Sequence, residues 1–264
     1  MKPVFLLAPY WMGHFSPERA ALFHHNWRLL AASPLEGSPT YCMGKLAAVL
    51  AEEVANIRSK DDFPVAIIGD CTLSIGMVAA LQRESPDFHL IWFDAHGDFN
   101  TLETTPSGFV GGMPLAMICG RGEQTIVKEA GAIVHPETDI ILTDGRDLDP
   151  EEAVAVANSA ITHLSDMSQL LTRPLPEKPV YIHFDVDVLP LAELSAVSYP
   201  AAGGPALDTV AQVLARLART GRVTALSVTL WNPEKDDDGR AEPVVMDLVE
   251  HFLKNLLVKV VAVS

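Results

Sequence analysis

The sequence predicts an α/β protein in which a mainly parallel sheet is covered by helices on both faces. Short apolar runs alternate along the chain with segments whose apolar residues have helical spacing. One of these runs, residues 64–70, is apolar up to its final aspartate, which is typical of a central parallel strand. Acidic residues follow several of the runs directly, and parallel sheets place their functional groups at such strand ends.

The apolar runs are predicted to be strands because they are short and rich in β-branched and aromatic residues. In chain order they cover residues 2–9, 64–70, 88–95, 139–147 (which runs into a polar loop), 179–189 and 223–233. The first run could pass for a signal peptide. Its apolar stretch is short, however, and Pro9 with the bulky residues after it makes a poor cleavage region, so a buried strand is predicted.

The intervening segments are predicted to be helices. They cover residues 44–60, 73–84, 123–130, 150–164, 206–219 and 243–258. In the first of them Leu46, Leu50 and Val54 recur on one side, and the fourth has Pro150 at a natural helix start. Since no internal repeat or linker interrupts the pattern, one domain over residues 1–264 is expected.

Composition limits the possible partners. The chain has 264 residues, 48% of them hydrophobic, and a net charge of −15, which argues against nucleic acid or an anionic membrane as a partner. Its three cysteines form no CxxC or paired pattern, so reduced thiols and a cytoplasmic location are expected. No stretch reaches the roughly 18 apolar residues of a membrane span.

Two rows of residues of the types that bind metal ions stand at the ends of predicted strands. In "LIWFDAHGDFN" Asp94 and His96 stand two apart with Asp98 just beyond, and His183 leads a second row with Asp185 and Asp187. Alternate side chains of a strand share a face, so each row points one way. Neighbouring carboxylate rows repel unless a cation lies between them, and oxygens with an imidazole suit Mn, Fe or Zn better than Ca.

Other readings of these residues exist. A single DxD is weak evidence, because it also occurs at solvated strand ends and in phosphatase-like nucleophile pairs; the presence of "FDVDV" in the same predicted sheet favours metal. Taken by itself, Cys71 is more typical of a small core residue than of a metal ligand, because it follows a buried strand. Asp70 is predicted to accept hydrogen bonds behind the site, and residues 234–240 to form a solvated turn.

Six segments in this order resemble the ureohydrolase family of arginases and agmatinases. They are "IGDCTLSIG", "FDAHGDFNT", "SGFVGGMP", "TDGRDLDPEE", "HFDVDVL" and "LWNP", which are similar to the family's "GGDHS", "DAHxDxNT", "SGNxHGMP", "GxRDxDxxE", "SFDxDxxDP" and "EVNP". The resemblance covers residues 64–233. It implies a three-layer α/β/α sandwich with a mainly parallel central sheet, two Mn ions bridged by hydroxide, and a homo-oligomer, often a trimer or hexamer.

The resemblance also implies roles for individual residues. One metal would take Cys71, Asp94, Asp98 and Asp185, and the other Asp94, His96, Asp185 and Asp187. The bridging hydroxide would attack the planar carbon of a guanidine or amidine, with Asp98 taking its proton. Asn100, Ser107 and Asp149 match residues that hold an amino-acid substrate, but capping of their own loops explains them equally well.

The departures from the family pattern are informative. Cys71 replaces a histidine ligand, which makes Fe, Co or Zn possible besides Mn. Gly111 stands where the family has a proton-shuttling histidine, and Leu230 where a glutamate pairs with the guanidinium. His183 replaces a small hydroxyl residue. It is a candidate proton donor or extra ligand, with a histidine bonded within the sheet as the alternative.

These observations leave three functions open. The first is a binuclear metal-dependent hydrolase that cleaves a linear C–N bond of a guanidino or amidino small molecule. The second is a catalytically weak or silent homologue that binds a small ligand or partner, which the changes at Gly111 and Leu230 favour. The third is a deacetylase-like enzyme with one zinc, which requires a His–His pair that the sequence does not show.

Overall fold

A computed structural model describes residues 2–32, 35–229 and 231–257 of the chain. Its main sheet is parallel and has eight strands in the order β4-β1-β5-β10-β9-β6-β7-β8. These strands are β1 (Pro3–Ala8), β4 (Arg28–Leu29), β5 (Phe63–Ile68), β6 (His89–Asp94), β7 (Ile140–Asp144), β8 (Thr162–Leu164), β9 (Val180–Asp185) and β10 (Val223–Thr229). The predicted parallel sheet is confirmed.

Helices cover both faces of the sheet. Alternate strand residues point to opposite faces, so Leu6 and Leu7 of β1 belong to two different apolar cores. The first core packs under α2 (Pro39–Arg58), α3 (Ser74–Glu84), α4 (Pro114–Ile118), α5 (Thr125–Ala130) and α6 (Pro150–Ala157). The second packs under α7 (Leu207–Arg219) and α8 (Ala241–Leu256). The three-layer sandwich is therefore confirmed.

One predicted helix is too long. Residues 150–164 were expected to be helical throughout, but α6 ends at Ala157 and β8 follows at the sheet edge. The hydroxyl of Ser159 donates to the carbonyl of Val156 at 2.7 Å and accepts from the amide of Ile161 at 3.2 Å. Such local bonds compete with helical ones, and the residues beyond can then pair with β7.

The sequence patterns also missed short elements near the site. An antiparallel hairpin joins β2 (Tyr10–Trp11) to β3 (His14–Phe15), and α1 (Pro17–Ala20) follows it. Helix α2 begins five residues before the predicted start, since Ser38 caps it by accepting from the amide of Tyr41 at 3.3 Å. No helix of the described ranges is long and apolar enough to cross a membrane.

A buried histidine away from the sheet end should make folding sensitive to acid. His135 is 1% exposed, its ring lies 4.5 Å from that of Phe88, and neither ring nitrogen has a hydrogen-bond partner among the described residues. Burial lowers the pKa of His135 to about 4, with His89 and Lys178 also lowering it against an opposing effect of Asp139. As pH falls, the unfolded chain therefore takes up a proton at this histidine before the folded chain does. The stability that neutral His135 contributes is complete above the ordinary histidine pKa and is lost as pH falls towards 4.

We expect His135→Gln to be less acid-sensitive than the wild type. At pH 5 this histidine should lower the free energy of unfolding of the wild type by about 2 kcal/mol relative to neutral pH. Thermal unfolding at pH 7.5 and pH 5 measures it, with His251→Gln, at an exposed position of α8, as the control. Equal losses in the wild type and His135→Gln would contradict the assignment to His135.

Candidate metal centre and substrate cleft

The carboxyl ends of three strands near the middle of the sheet bring the predicted ligands to one edge. Strands β5, β10, β9, β6 and β7 are neighbours and all run in the same direction. Cys71 follows β5, Asp94 ends β6, and Asp185 ends β9. The three side chains are buried together.

Asp70 orients the turn that carries Cys71. Its carboxylate accepts from the amide of Thr72 at 2.9 Å and from the amide of Met12 at 2.6 Å. The first bond caps the 3₁₀ turn Cys71–Leu73, and the second ties that turn to the β2–β3 hairpin. Asp70 thus accepts hydrogen bonds beside the ligands and is absent from the clusters of ligand atoms in the described ranges.

Two clusters of possible ligand atoms share Asp94. Within each cluster the ligand atoms lie within 4.8 Å of one another. The first cluster contains Cys71, Asp94, His183 and Asp185, and the second contains Asp94, His96 and Asp187. A shared carboxylate with separate partners on each side is an arrangement that fits two neighbouring cations.

Asp98 lies beside these clusters without joining them. It has a left-handed backbone with a φ of 48°, and its carbonyl accepts from the amides of Leu115 at 2.9 Å and Ala116 at 3.2 Å. The side chain is buried, and its Oδ2 has no hydrogen-bond partner among the described residues. Left-handed non-glycine residues cost free energy and are common at functional sites.

The electrostatics of the two clusters favour a cation. Burial raises the pKa of Asp94 to about 6, with Asp187 adding to the shift, and burial raises the pKa of Asp98 and Asp185 well above the usual range. Burial disfavours a charged His96, but the carboxylates of Asp187 and Asp94 outweigh it and raise its pKa to about 12. Carboxylates this close and this buried are stable as anions only beside positive charge.

Cys71 can join a metal only by losing its proton. Burial raises the pKa of this thiol well above its ordinary value, and the nearby carboxylates add to the effect. Its Sγ donates to Oδ2 of Asp185 at 3.1 Å. A divalent cation reverses this balance because it stabilises the thiolate directly. The donor set therefore fits a metal.

A cleft of about 180 Å³ opens above the ligands. Cys71, His96 and Asp98 contribute to it from the cluster side. Its other lining residues include the aromatic Trp11, Phe109 and Tyr199, the acidic Asp147, Asp149 and Glu152, and the polar Asn100 and Ser107. A planar, polar head group can therefore reach the possible ligand atoms while the rest of a small molecule contacts the aromatic and acidic side chains.

The three predicted substrate contacts line this cleft and also make local bonds. The amide of Asn100 donates to Asp149 at 2.9 Å, and Ser107 accepts from the amide of Phe109 at 3.2 Å. Asp149 forms a capping box with Glu152 at the start of α6. Both interpretations thus have support, since each side chain is engaged within its loop and faces the cleft.

A phenyl ring takes the space beside Gly111. A Cβ atom placed on Gly111 would overlap the ring of Phe109, which lies 5.0 Å from the ring of Tyr199. The cleft wall is therefore aromatic at the position where the resemblance implies a histidine. Leu230, the other departure, lies outside the described residues.

Several residues of the cleft were not predicted from the sequence. Trp11 and Tyr199 belong to segments that carry no recognised motif, so no pattern indicated them. Glu152 did have a signal, because Asp149 and Glu152 have the spacing of a capping box. Its Oε1 accepts from the amide of Phe99 at 2.8 Å, which fixes the loop that bears Asp98, and burial raises its pKa to about 7.

The known proteins that this chain resembles in sequence include arginases. A profile of the arginase family matches residues 14–254. The arginase of Bacillus subtilis is 29% identical over 222 residues, which cover 79% of this chain and 75% of that protein. The arginase of Staphylococcus aureus strain MRSA252 is 28% identical over 221 residues, covering 79% and 73% respectively.

Solved structures show the same fold. The crystal structure of arginase from Bacillus subtilis superposes with a TM-score of 0.82 at 24% identity, covering 96% of this chain and 98% of that one. Formiminoglutamase from Trypanosoma cruzi, crystallised with Mn²⁺, superposes with a TM-score of 0.73 at 19% identity, covering 96% and 93%. At these identities the likeness concerns the fold alone.

Proposed function

The chain belongs to the arginase family, and on that premise we propose that it is a binuclear metal-dependent hydrolase that cleaves a linear C–N bond of a guanidino or amidino small molecule. The observation that carries the proposal is the pair of ligand clusters that share Asp94 beside an open cleft. The proposed metal ligands are Cys71, Asp94, His96, Asp98, Asp185 and Asp187.

Two divalent ions held there would lower the pKa of a shared water and so supply a nucleophile at neutral pH. We assign the uptake of that proton to Asp98, which lines the cleft and whose Oδ2 has no hydrogen-bond partner among the described residues. The proton then passes to the departing nitrogen, so that water is added across the C–N bond and an amine leaves.

The outer cleft is suited to the far end of the substrate. Asn100, Ser107 and Asp149 line it, and Asp147, whose side chain is 64% exposed, adds a second carboxylate. We propose that these groups bind a polar or cationic tail while the aromatic side chains exclude water. The tail would then fix the distance of the planar carbon from the ligand clusters.

The number of bound metals tests this proposal against its competitors. A binuclear hydrolase should contain two ions per chain, a deacetylase-like enzyme one, and a silent homologue none. Elemental analysis of the purified protein measures this directly. His96 is the single histidine among the described cleft-lining residues, so the His–His pair of the deacetylase alternative is not found there.

We expect poor turnover of arginine and agmatine. Position 230 carries leucine, and a desolvated guanidinium needs a carboxylate partner. The described acids of residues 234–238 do not line the cleft, so they do not replace that carboxylate. Less basic head groups, such as an N-hydroxyguanidine or an N-formimino group, should be better substrates.

A screen of the metal-loaded protein that detects the released amine measures this preference. Leu230→Glu should raise kcat/KM for arginine by roughly 10-fold or more, with uncharged Leu230→Gln as the matched control. Arginine turnover at ordinary enzyme rates by the wild type would show that the inference from Leu230 is wrong. A protein that binds no metal and turns over no compound would instead support the silent homologue, which the aromatic wall beside Gly111 also favours.

A further inference from the structure

The first ligand cluster contains a histidine that strand β9 holds in place. The ligand atoms of Cys71, Asp94, His183 and Asp185 all lie within 4.8 Å of one another, and the four side chains are buried. His183 is 0% exposed, and its Nε2 has no hydrogen-bond partner among the described residues. A buried imidazole nitrogen without a partner is costly unless something binds it.

The hydrogen bonds of His183 leave Nε2 as the ring nitrogen available to a metal. Its Nδ1 lies 2.9 Å from the hydroxyl of Ser227, and that hydroxyl lies 2.6 Å from the hydroxyl of Tyr181. The indole of Trp92 stacks on the imidazole with 3.7 Å between ring centroids. A neutral imidazole that donates from Nδ1 to Ser227 presents the lone pair of Nε2, as a metal-ligating histidine does.

The position of His183 separates its two candidate roles. A proton donor for the leaving group must reach the substrate, yet His183 does not line the cleft, whereas Cys71, His96 and Asp98 do. His183 lies on β9 two residues before Asp185, at the level of the ligand atoms. The geometry therefore favours a ligand over a proton donor.

The first cluster offers softer ligand atoms than a cluster of oxygens alone would, because it contains a cysteine sulfur and a histidine nitrogen. A thiolate and an imidazole prefer Zn²⁺, Co²⁺ or Fe²⁺, whereas carboxylates accept Mn²⁺ readily. One sulfur, one nitrogen and two carboxylates also supply the four ligands of a tetrahedral site. We propose a metal site that selects Zn²⁺, Co²⁺ or Fe²⁺ over Mn²⁺, made by Cys71, Asp94, His183 and Asp185.

This proposal refines the ligand set. It rests on the proposed function only in taking this site for one of the two ions. His183 takes the place first given to Asp98, and Asp98 keeps its role in proton transfer. Trp92 supports the same site, because its indole nitrogen donates to Oδ2 of Asp94 at 3.0 Å while its ring stacks on His183.

Cobalt makes the sulfur ligand visible. The metal-free protein loaded with Co²⁺ should show a thiolate-to-cobalt charge-transfer band in the near ultraviolet. Cys71→Ser should abolish this band, whereas Cys42→Ser, at another buried cysteine on α2, should keep it. A cobalt protein without the band, or one whose band survives Cys71→Ser, overturns the assignment of Cys71.

Competition among ions tests the selectivity and the role of His183. With equal concentrations of Zn²⁺, Co²⁺, Fe²⁺ and Mn²⁺ under anaerobic conditions, elemental analysis should find at least one ion of the first three metals per chain. His183→Asn should lower Zn²⁺ affinity by roughly 100-fold, and Ser227→Ala, which keeps the ligand but frees its ring, by roughly 10-fold. Preference for Mn²⁺ at both sites overturns the proposal, and so does unchanged affinity in both variants.

These readouts are independent of catalysis. A protein with the cobalt band and the zinc preference that hydrolyses no guanidino or amidino compound refutes the proposed function but upholds this site. A protein with turnover and two bound Mn²⁺ ions does the opposite. If His183→Asn does not fold, the cobalt spectrum and zinc affinity of Ser227→Ala still decide the role of His183.

Discussion

Asp185→Asn is expected to remove bound metal and activity together. Asp185 is 0% exposed and belongs to the cluster that contains Cys71, and one of its oxygens also accepts from the amide of Asp187 at 2.9 Å. Asparagine preserves that hydrogen bond and the size of the side chain, but it lacks the negative charge that offsets a bound cation. We expect metal affinity to fall on the order of 100-fold or more and turnover to become undetectable.

A matched exposed aspartate provides the control. Asp166 is exposed and caps a 3₁₀ turn in the same way, accepting from the amide of Ser168 at 2.8 Å. Asp166→Asn should retain both ions and full turnover. Metal content by elemental analysis and turnover of the best compound in the substrate screen are compared for the two variants. Full occupancy and turnover in Asp185→Asn would refute a metal ligand at this position.

Strand alternation explains only in part why the two predicted rows lie together. Strand alternation does place His183 and Asp185 on one face of β9, but the strand ends at Asp185. Asp187 reaches the site through the 3₁₀ turn Val186–Val188 instead. His96 likewise lies beyond the end of β6, and its amide donates to Oδ1 of Asp94 at 2.7 Å. Local hydrogen bonds from backbone amides to carboxylates, and not strand alternation, bring Asp187 and His96 to the cluster that contains Asp94.

The cleft wall was beyond prediction from the sequence because it depends on contacts between distant segments. Trp11 reaches the cleft from the β2–β3 hairpin, which the amide of Met12 ties to Asp70. The ring of Phe109 fills the space beside Gly111 and packs near Tyr199, 90 residues further along the chain. Periodicity reports which face of an element is apolar, but not which loops meet above a sheet edge.

Asp98→Asn is expected to separate proton transfer from metal binding. Asp98 faces the cleft and lies outside both ligand clusters, so its loss should impair chemistry more than occupancy. Removing a positioned general base typically costs roughly 10² to 10⁴-fold in rate. We expect kcat to fall by about that factor, with at most a modest loss of metal.

The backbone of Asp98 makes asparagine the informative replacement. Asparagine tolerates the left-handed conformation that Asp98 adopts at a φ of 48°, whereas alanine would add strain. Asp61 is an exposed aspartate with a similar φ of 56°, so Asp61→Asn reports the effect of this exchange on a left-handed backbone alone. Wild-type kcat in Asp98→Asn would remove Asp98 from the reaction. Loss of an ion in proportion to the loss of rate would instead return Asp98 to the metal ligands, because a base that only moves protons has no reason to alter occupancy.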